Sequence, residues 1–209
     1  MIKTLLTALV LALSLPSAAS ASAPLRILAL GDSLTAGYGL GPEDGFTVQL
    51  EQALKAKGHD VIIVNAGVSG DTAAGGLARL DWALGGGADA AIVELGANDM
   101  LRGFDPAITK AALDSILAKL QARQIPVLLA GMRAAPNLGP TYAARFDRIY
   151  PDLAGTYEAV LYPFFLDGAA AEPDLLQADG LHPNAKGVAL IVERMLPVVE
   201  LLIGEAQAR

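Results

Sequence analysis

The chain has 209 residues, is 53% hydrophobic and carries a formal charge of −7. That is enough for one well-buried core and short for two domains. An acidic chain with no basic run is a poor nucleic-acid binder. With no cysteine it has no disulfide, thiol nucleophile, lipid-modified cysteine anchor or cysteine-based metal site.

The first element is a leader. Met1-Ile2-Lys3 precedes an apolar run over residues 5–15, which Pro16 breaks before the small residues of 17–23. This order reads as a secretory signal, and the run falls well short of the ~20 residues that a spanning helix needs. Cleavage is expected after Ala21, because Pro24 would be an awkward first residue for cleavage after Ala23. The expectation is a signal at 1–21 and one domain at 22–209, with no stable membrane anchor and a monomer favoured. Loss of Lys3 would take the charge from −7 to −8. The expected location is the bacterial periplasm or the medium.

Short apolar runs then alternate with helical patterns. Strands are expected at 25–30, 61–64, 90–95 and 127–130, with a fifth at 160–164 that Pro163 weakens as a central strand. Nearly continuous apolar strands imply a parallel sheet covered on both faces. Phe46, Val48, Leu50, Ala53 and Leu54 mark a helix that ends at Lys57-Gly58. Asp71-Thr72 offers the cap of the next, which runs to Leu84. Asp105-Pro106 offers a cap and a first-turn proline for one carrying Ile108, Leu113, Ile116, Leu117 and Leu120. Helices are also expected at 142–157, interrupted at Pro151, and at 188–202, where Pro197 would kink the chain. The βαβα order specifies a three-layer α/β/α sandwich.

In an open parallel sheet, ligands bind outside the carboxyl ends of the strands. The residues there are Gly31-Asp32-Ser33-Leu34 after the first strand, Ser69-Gly70-Asp71 after the second and Gly96-Ala97-Asn98-Asp99 after the third. Asp179-Gly180-Leu181-His182-Pro183 lies before the last helix. They bring a hydroxyl, an imidazole and carboxylates to one rim. The only other histidine, His59, falls in a helix-to-strand turn at the opposite edge of the sheet and reads as solvated.

These four blocks, in this order and at this spacing, resemble those of the SGNH (GDSL-type) hydrolases. Gly76-Leu77-Ala78-Arg79-Leu80, Leu101-Arg102-Gly103-Phe104 and Tyr162-Pro163-Phe164-Phe165 bring the likeness closest to the bacterial acyl-CoA thioesterase/arylesterase/lysophospholipase branch. The resemblance covers nearly all of the chain after the leader. It implies a flavodoxin-like parallel sheet of about five strands and a Ser-His-Asp triad. Ser33 would be the nucleophile, His182 its base, and Asp179 the group that fixes the imidazole tautomer. The Ser33 N–H, the Gly70 N–H and the Asn98 side-chain amide would form the oxyanion hole. Asp32 and Asp99 read as structural, Asp32 turned away from Ser33 and bonded beneath the loop.

In the resembling branch the loop after Asn98 covers the acyl group, which makes Leu101, Arg102 and Phe104 candidates for substrate contact. Residues 132–142, with Pro136, would form the facing wall. Gly-x-Ser-x-Gly is absent around Ser33, so this is no α/β-hydrolase elbow. No Gly-Lys-Ser/Thr cradle follows the first loop, and no ligand cluster accompanies Asp179 and His182, so no cofactor or metal is expected. Two departures bear on chain-length preference: Ala97 replaces a glycine common in the branch, and residues 167–172 are small where the branch is bulkier. Trp82 is the only tryptophan and no sugar-binding aromatic cluster is evident. The expected function is an exported serine esterase acting on small acyl esters, thioesters or lysophospholipids. A carbohydrate O-deacetylase with the same triad and a non-catalytic acyl-binding module are the competing readings.

Overall fold

A computed structural model describes residues 23–209, so the expected leader and its expected cleavage site lie outside the described residues. Five parallel strands form one sheet in the order β2-β1-β3-β4-β5. They are β1 Leu25–Gly31, β2 Val61–Gly67, β3 Ala90–Glu94, β4 Val127–Ala130 and β5 Val160–Tyr162. This is the flavodoxin-like order, with its topological switch between β1 and β3. Every residue of β3 and β4 is buried, as continuous apolar composition requires of strands covered on both faces.

The helices are α1 Ser33–Ala36, α2 Phe46–Ala56, α3 Ala73–Ala83, α4 Ala97–Leu101, α5 Pro106–Ala122, α6 Pro140–Phe146, α7 Ile149–Tyr157 and α8 Ala185–Gln207. α2 packs on α8, and α3 and α7 pack on α5, which gives the two outer layers. Several starts follow from capping chemistry. Thr72 accepts from the Gly75 N–H at the start of α3, and Asp105 accepts from the Ala107 N–H ahead of Pro106 in α5. Asn184 accepts from the Lys186 and Gly187 N–H groups, so α8 begins at Ala185, three residues before its expected start. It runs to Gln207 with Pro197 inside it.

The expected helix at 142–157 is two helices, and the break is not at Pro151. α6 ends at Phe146 and α7 starts at Ile149, which puts Pro151 in the first turn of α7, where an N–H has no intrahelical partner to lose. β5 is an edge strand that stops before Pro163, the position at which a missing donor is tolerated.

Candidate active site

The carboxyl ends of β1, β2 and β3 each open into a short polar turn. After β1, Asp32 caps α1 by accepting from the Leu34 N–H at 3.0 Å, and Ser33 is the first helical residue. After β2, the turn Val68–Asp71 closes with the Asp71 N–H donating to Val68 O at 3.0 Å. Gly70 takes φ +86° there, a left-handed conformation in which a side chain would be strained. After β3, Gly96 leads into α4, which carries Asn98. Arg79 from α3 ties the first two ends together, donating to Ala66 O at 2.7 Å and Gly31 O at 2.8 Å.

The fourth component comes from the far end of the chain. His182 Nε2 lies 2.8 Å from Ser33 Oγ, and His182 Nδ1 lies 2.7 Å from Asp179 Oδ2. An ionised carboxylate only accepts, so the ring proton belongs on Nδ1 and Nε2 is free to accept from the Ser33 hydroxyl. Asp179 Oδ1 also accepts from the Leu181 N–H (2.9 Å) and the His182 N–H (3.0 Å). These backbone donors, with the His182 ring, hold the Asp179 carboxyl down to about 2, against an ordinary 3.8.

Two further residues brace His182. The ring of Tyr38 lies 4.7 Å from it, centroid to centroid. Gln177 Nε2 donates to Tyr38 O (2.8 Å) and Pro183 O (3.0 Å), and the Gln177 N–H donates to His182 O (2.8 Å). Sequence reading missed both residues. Gln177 sits in an irregular stretch without any periodic or motif signal, so nothing marked it.

Ser33, Gly70, Asn98, Leu101, Pro136 and His182 all line one cavity of about 450 Å³. Asp179 stands behind His182 without lining the cavity. Neither the Ser33 nor the Gly70 N–H makes a hydrogen bond among the described residues. Asn98 uses one amide hydrogen to donate to Asp32 Oδ2 at 3.0 Å, leaving the second available. Arg102 and Phe104, expected as substrate contacts, are not in the lining: Arg102 Nη2 donates to Gly70 O (2.8 Å), and Phe104 O accepts from the Tyr142 hydroxyl (2.9 Å). Met100, Met132, Ala134, Phe164, Leu166 and Leu181 supply most of the apolar wall instead.

Asp32 and Asp99 are both buried. Asp99 accepts from the Ala73 N–H (2.8 Å) and the Thr109 hydroxyl (3.1 Å), joining α4 to α3 and α5. Asp32 does more than the bond beneath the loop, since it holds Asn98. Burial pushes its carboxyl up to about 6. His59 lies at the other end of the sheet and is not simply solvated, because its Nε2 pairs with Glu200 Oε1 at 3.0 Å. A second concavity of about 380 Å³, around Leu117, Tyr157 and Arg209, contains no hydroxyl–imidazole pair. Among the described residues no group of three or more His, Asp or Glu could hold a metal ion.

Residues 29–190 match the GDSL-like Lipase/Acylhydrolase family. The chain belongs to that family. It is an SGNH hydrolase, an enzyme acting on acyl esters. It is 39% identical to the Esterase TesA of Pseudomonas aeruginosa over 183 residues, 87% of this chain and 91% of that protein. It is 37% identical to the Thioesterase 1/protease 1/lysophospholipase L1 of Escherichia coli over 192 residues, 88% of this chain and 87% of that one. Among solved structures it resembles AlinE4, an SGNH-hydrolase family esterase. There the TM-score is 0.74 and the identity 49%, over 87% of this chain and 98% of the other. The expected family and fold both hold.

Proposed function

We propose that this hydrolase is an exported serine esterase that cleaves acyl esters and thioesters through an acyl-enzyme on Ser33. The observation that carries the reading is the continuous line from Asp179 Oδ2 to His182 to Ser33 Oγ, with contacts of 2.7 and 2.8 Å, at the wall of an apolar cavity. His182 Nε2 takes the hydroxyl proton as Ser33 attacks the acyl carbon, and returns it to the leaving alcohol or thiol. Asp179 holds the ring in the required tautomer and stabilises the imidazolium. The Ser33 and Gly70 N–H groups and the free hydrogen of the Asn98 amide receive the oxyanion. Water then releases the acid by the same route in reverse.

The wall favours acyl chains over sugars. Met100, Leu101, Met132, Phe164, Leu166 and Leu181 offer methyl, thioether and phenyl surface, and Trp82 is not in the lining. The names of the relatives, which include an esterase and a thioesterase/lysophospholipase, point the same way. Export rests on the leader at residues 1–21, and no helix among the described residues is long and apolar enough to cross a membrane.

A panel of p-nitrophenyl esters from acetyl to long acyl, with an acyl-CoA, a lysophospholipid and an acetylated sugar, tests the reading. Turnover should prefer chains beyond acetyl and vanish in Ser33→Ala. A preference for the acetylated sugar in kcat/KM would transfer the protein to the deacetylase reading.

A further inference from the structure

Next to Ser33, two buried carboxyl groups meet, and one of them, Asp32, reaches the wall of the cavity. Asp32 and Glu94 are both fully buried. Neither forms an ion pair with Lys or Arg among the described residues. They are unequal in donors. Asp32 accepts from the Leu34 N–H on Oδ1 and from Asn98 Nδ2 on Oδ2, each at 3.0 Å. Glu94 Oε2 accepts from the Thr35 hydroxyl at 2.7 Å and, at a long 3.4 Å, from the Asp32 N–H. Glu94 Oε1 has no hydrogen-bond partner and no access to water.

Other ionisable groups around the pair do not supply what Glu94 lacks. His182 faces Asp32 across Ser33 and its charge favours the Asp32 carboxylate. Tyr150, from α7, gives its hydroxyl proton to Leu95 O at 3.0 Å. Asp99 is occupied by Ala73 and Thr109. The Arg79 guanidinium is engaged with Asp71, Ala66 O and Gly31 O. Two adjacent buried carboxyls cannot both ionise without strong mutual opposition. Asp32, with a donor on each oxygen, carries the charge, and Glu94, with both of its donors on one oxygen and the other orphaned, takes the proton.

We propose that Glu94 is a positioning residue: it holds the single proton of the Asp32–Glu94 pair, so that Asp32 stands as the one carboxylate that anchors the Asn98 amide. The inference rests on the oxyanion role given to Asn98 above. An amide NH₂ has two hydrogens; Asp32 fixes the first, which sets the amide plane and aims the second into the cavity. A second ionised carboxylate beneath Ser33 would set a like charge under the developing oxyanion and oppose its build-up. The direction of both titrations agrees. Burial, and then the Asp32 charge, push Glu94 well above the ordinary carboxylate range, while Asp32 reaches only about 6.

The test reads the proton directly and then its effect. Near pH 7 ordinary carboxyls are ionised, so the infrared spectrum of the purified protein should show a protonated-carboxyl C=O band that Glu94→Gln removes. Glu94→Ala should lower kcat about tenfold with KM nearly unchanged, whereas Glu94→Gln, neutral and of the same shape, should restore kcat to within about threefold of wild type. In an Asn98→Ala background the loss on Glu94→Ala should shrink toward nothing, as coupled groups require. If Glu94→Ala does not fold, the band in wild type and Glu94→Gln decides alone. No protonated-carboxyl band in the folded wild type overturns the proposal, and so does a folded Glu94→Gln as slow as Glu94→Ala. The band does not depend on Ser33 chemistry. Turnover that survives Ser33→Ala would sink the esterase reading and leave the shared proton standing.

Discussion

Asp179 and Asp32 are the same residue type on either side of one serine hydroxyl, and their surroundings drive them in opposite directions. Asp179 is on an exposed loop, where the N–H groups of Leu181 and His182 and the imidazole converge on it and hold it at about 2. Asp32 is buried just past the carboxyl end of β1 with a second carboxyl beside it, and burial lifts it to about 6. The difference shows that a carboxylate's state is decided by donors and water, not by residue type. It also divides the site into two regions. The upper loop supplies a permanent charge to orient an imidazole, and the lower core supplies a proton-sensitive anchor for an amide.

The largest break in this comparison comes from the upper region. His182→Ala should lower kcat by roughly 10⁴ or more, since serine chemistry without its base retains little beyond the oxyanion hole and binding. The ring is partly exposed on a loop, so circular dichroism should be unchanged; residual turnover within tenfold of wild type would contradict the role. A smaller break comes from the lower region. Asn98→Ala would remove the proposed side-chain oxyanion donor and should cost on the order of 10²–10³ in kcat with KM little altered. A loss confined to KM would instead make Asn98 a ground-state contact.

The subtlest effect lies in stability against pH, where the two aspartates should differ in sign. A folded pKa raised from 3.8 to about 6 means that the native state binds more protons than the unfolded chain across that window. The Asp32 contribution to stability therefore falls as pH rises from about 4 to about 6 and is constant above it. Asp179, held at about 2, contributes fully above the ordinary carboxyl range and loses that contribution as pH drops from about 4 towards 2. Melting temperatures measured across pH 4–7 should show Asp32→Asn gaining on wild type as pH rises, by a few degrees. Parallel curves would mean that Asp32 titrates alike in both states.

Much of this was legible in the chain. Ser33, Gly70, Asn98 and His182 follow from four short blocks placed at strand ends, because a parallel sheet delivers all its carboxyl ends to one rim. The strands and the caps at Thr72 and Asp105 follow from apolar runs and local capping chemistry, whereas the flavodoxin-like sheet comes from the family resemblance and the Asn184 cap is not among the expected ones. The supporting residues did not follow. Glu94 sits in an apolar strand and reads as part of it, although a carboxyl placed directly before Leu95-Gly96 is the one signal that could have drawn notice. Tyr38 and Gln177 act through loop contacts that no period encodes. Arg102 and Phe104 are expected at the substrate by analogy of position but are not in the cavity lining; Arg102 bonds to Gly70 O, and the Phe104 carbonyl accepts from Tyr142, neither of which the sequence signals. The split of 142–157 turned on where a proline falls within a turn, which pattern reading resolves poorly.

The most direct test of the account is intact-protein mass after rapid acid quench during turnover of a p-nitrophenyl acyl ester. A species heavier by one acyl group, mapped to Ser33 and missing from Ser33→Ala, is the predicted result. Steady turnover by wild type with no Ser33 adduct, together with undiminished turnover in Ser33→Ala, would contradict the account at its centre.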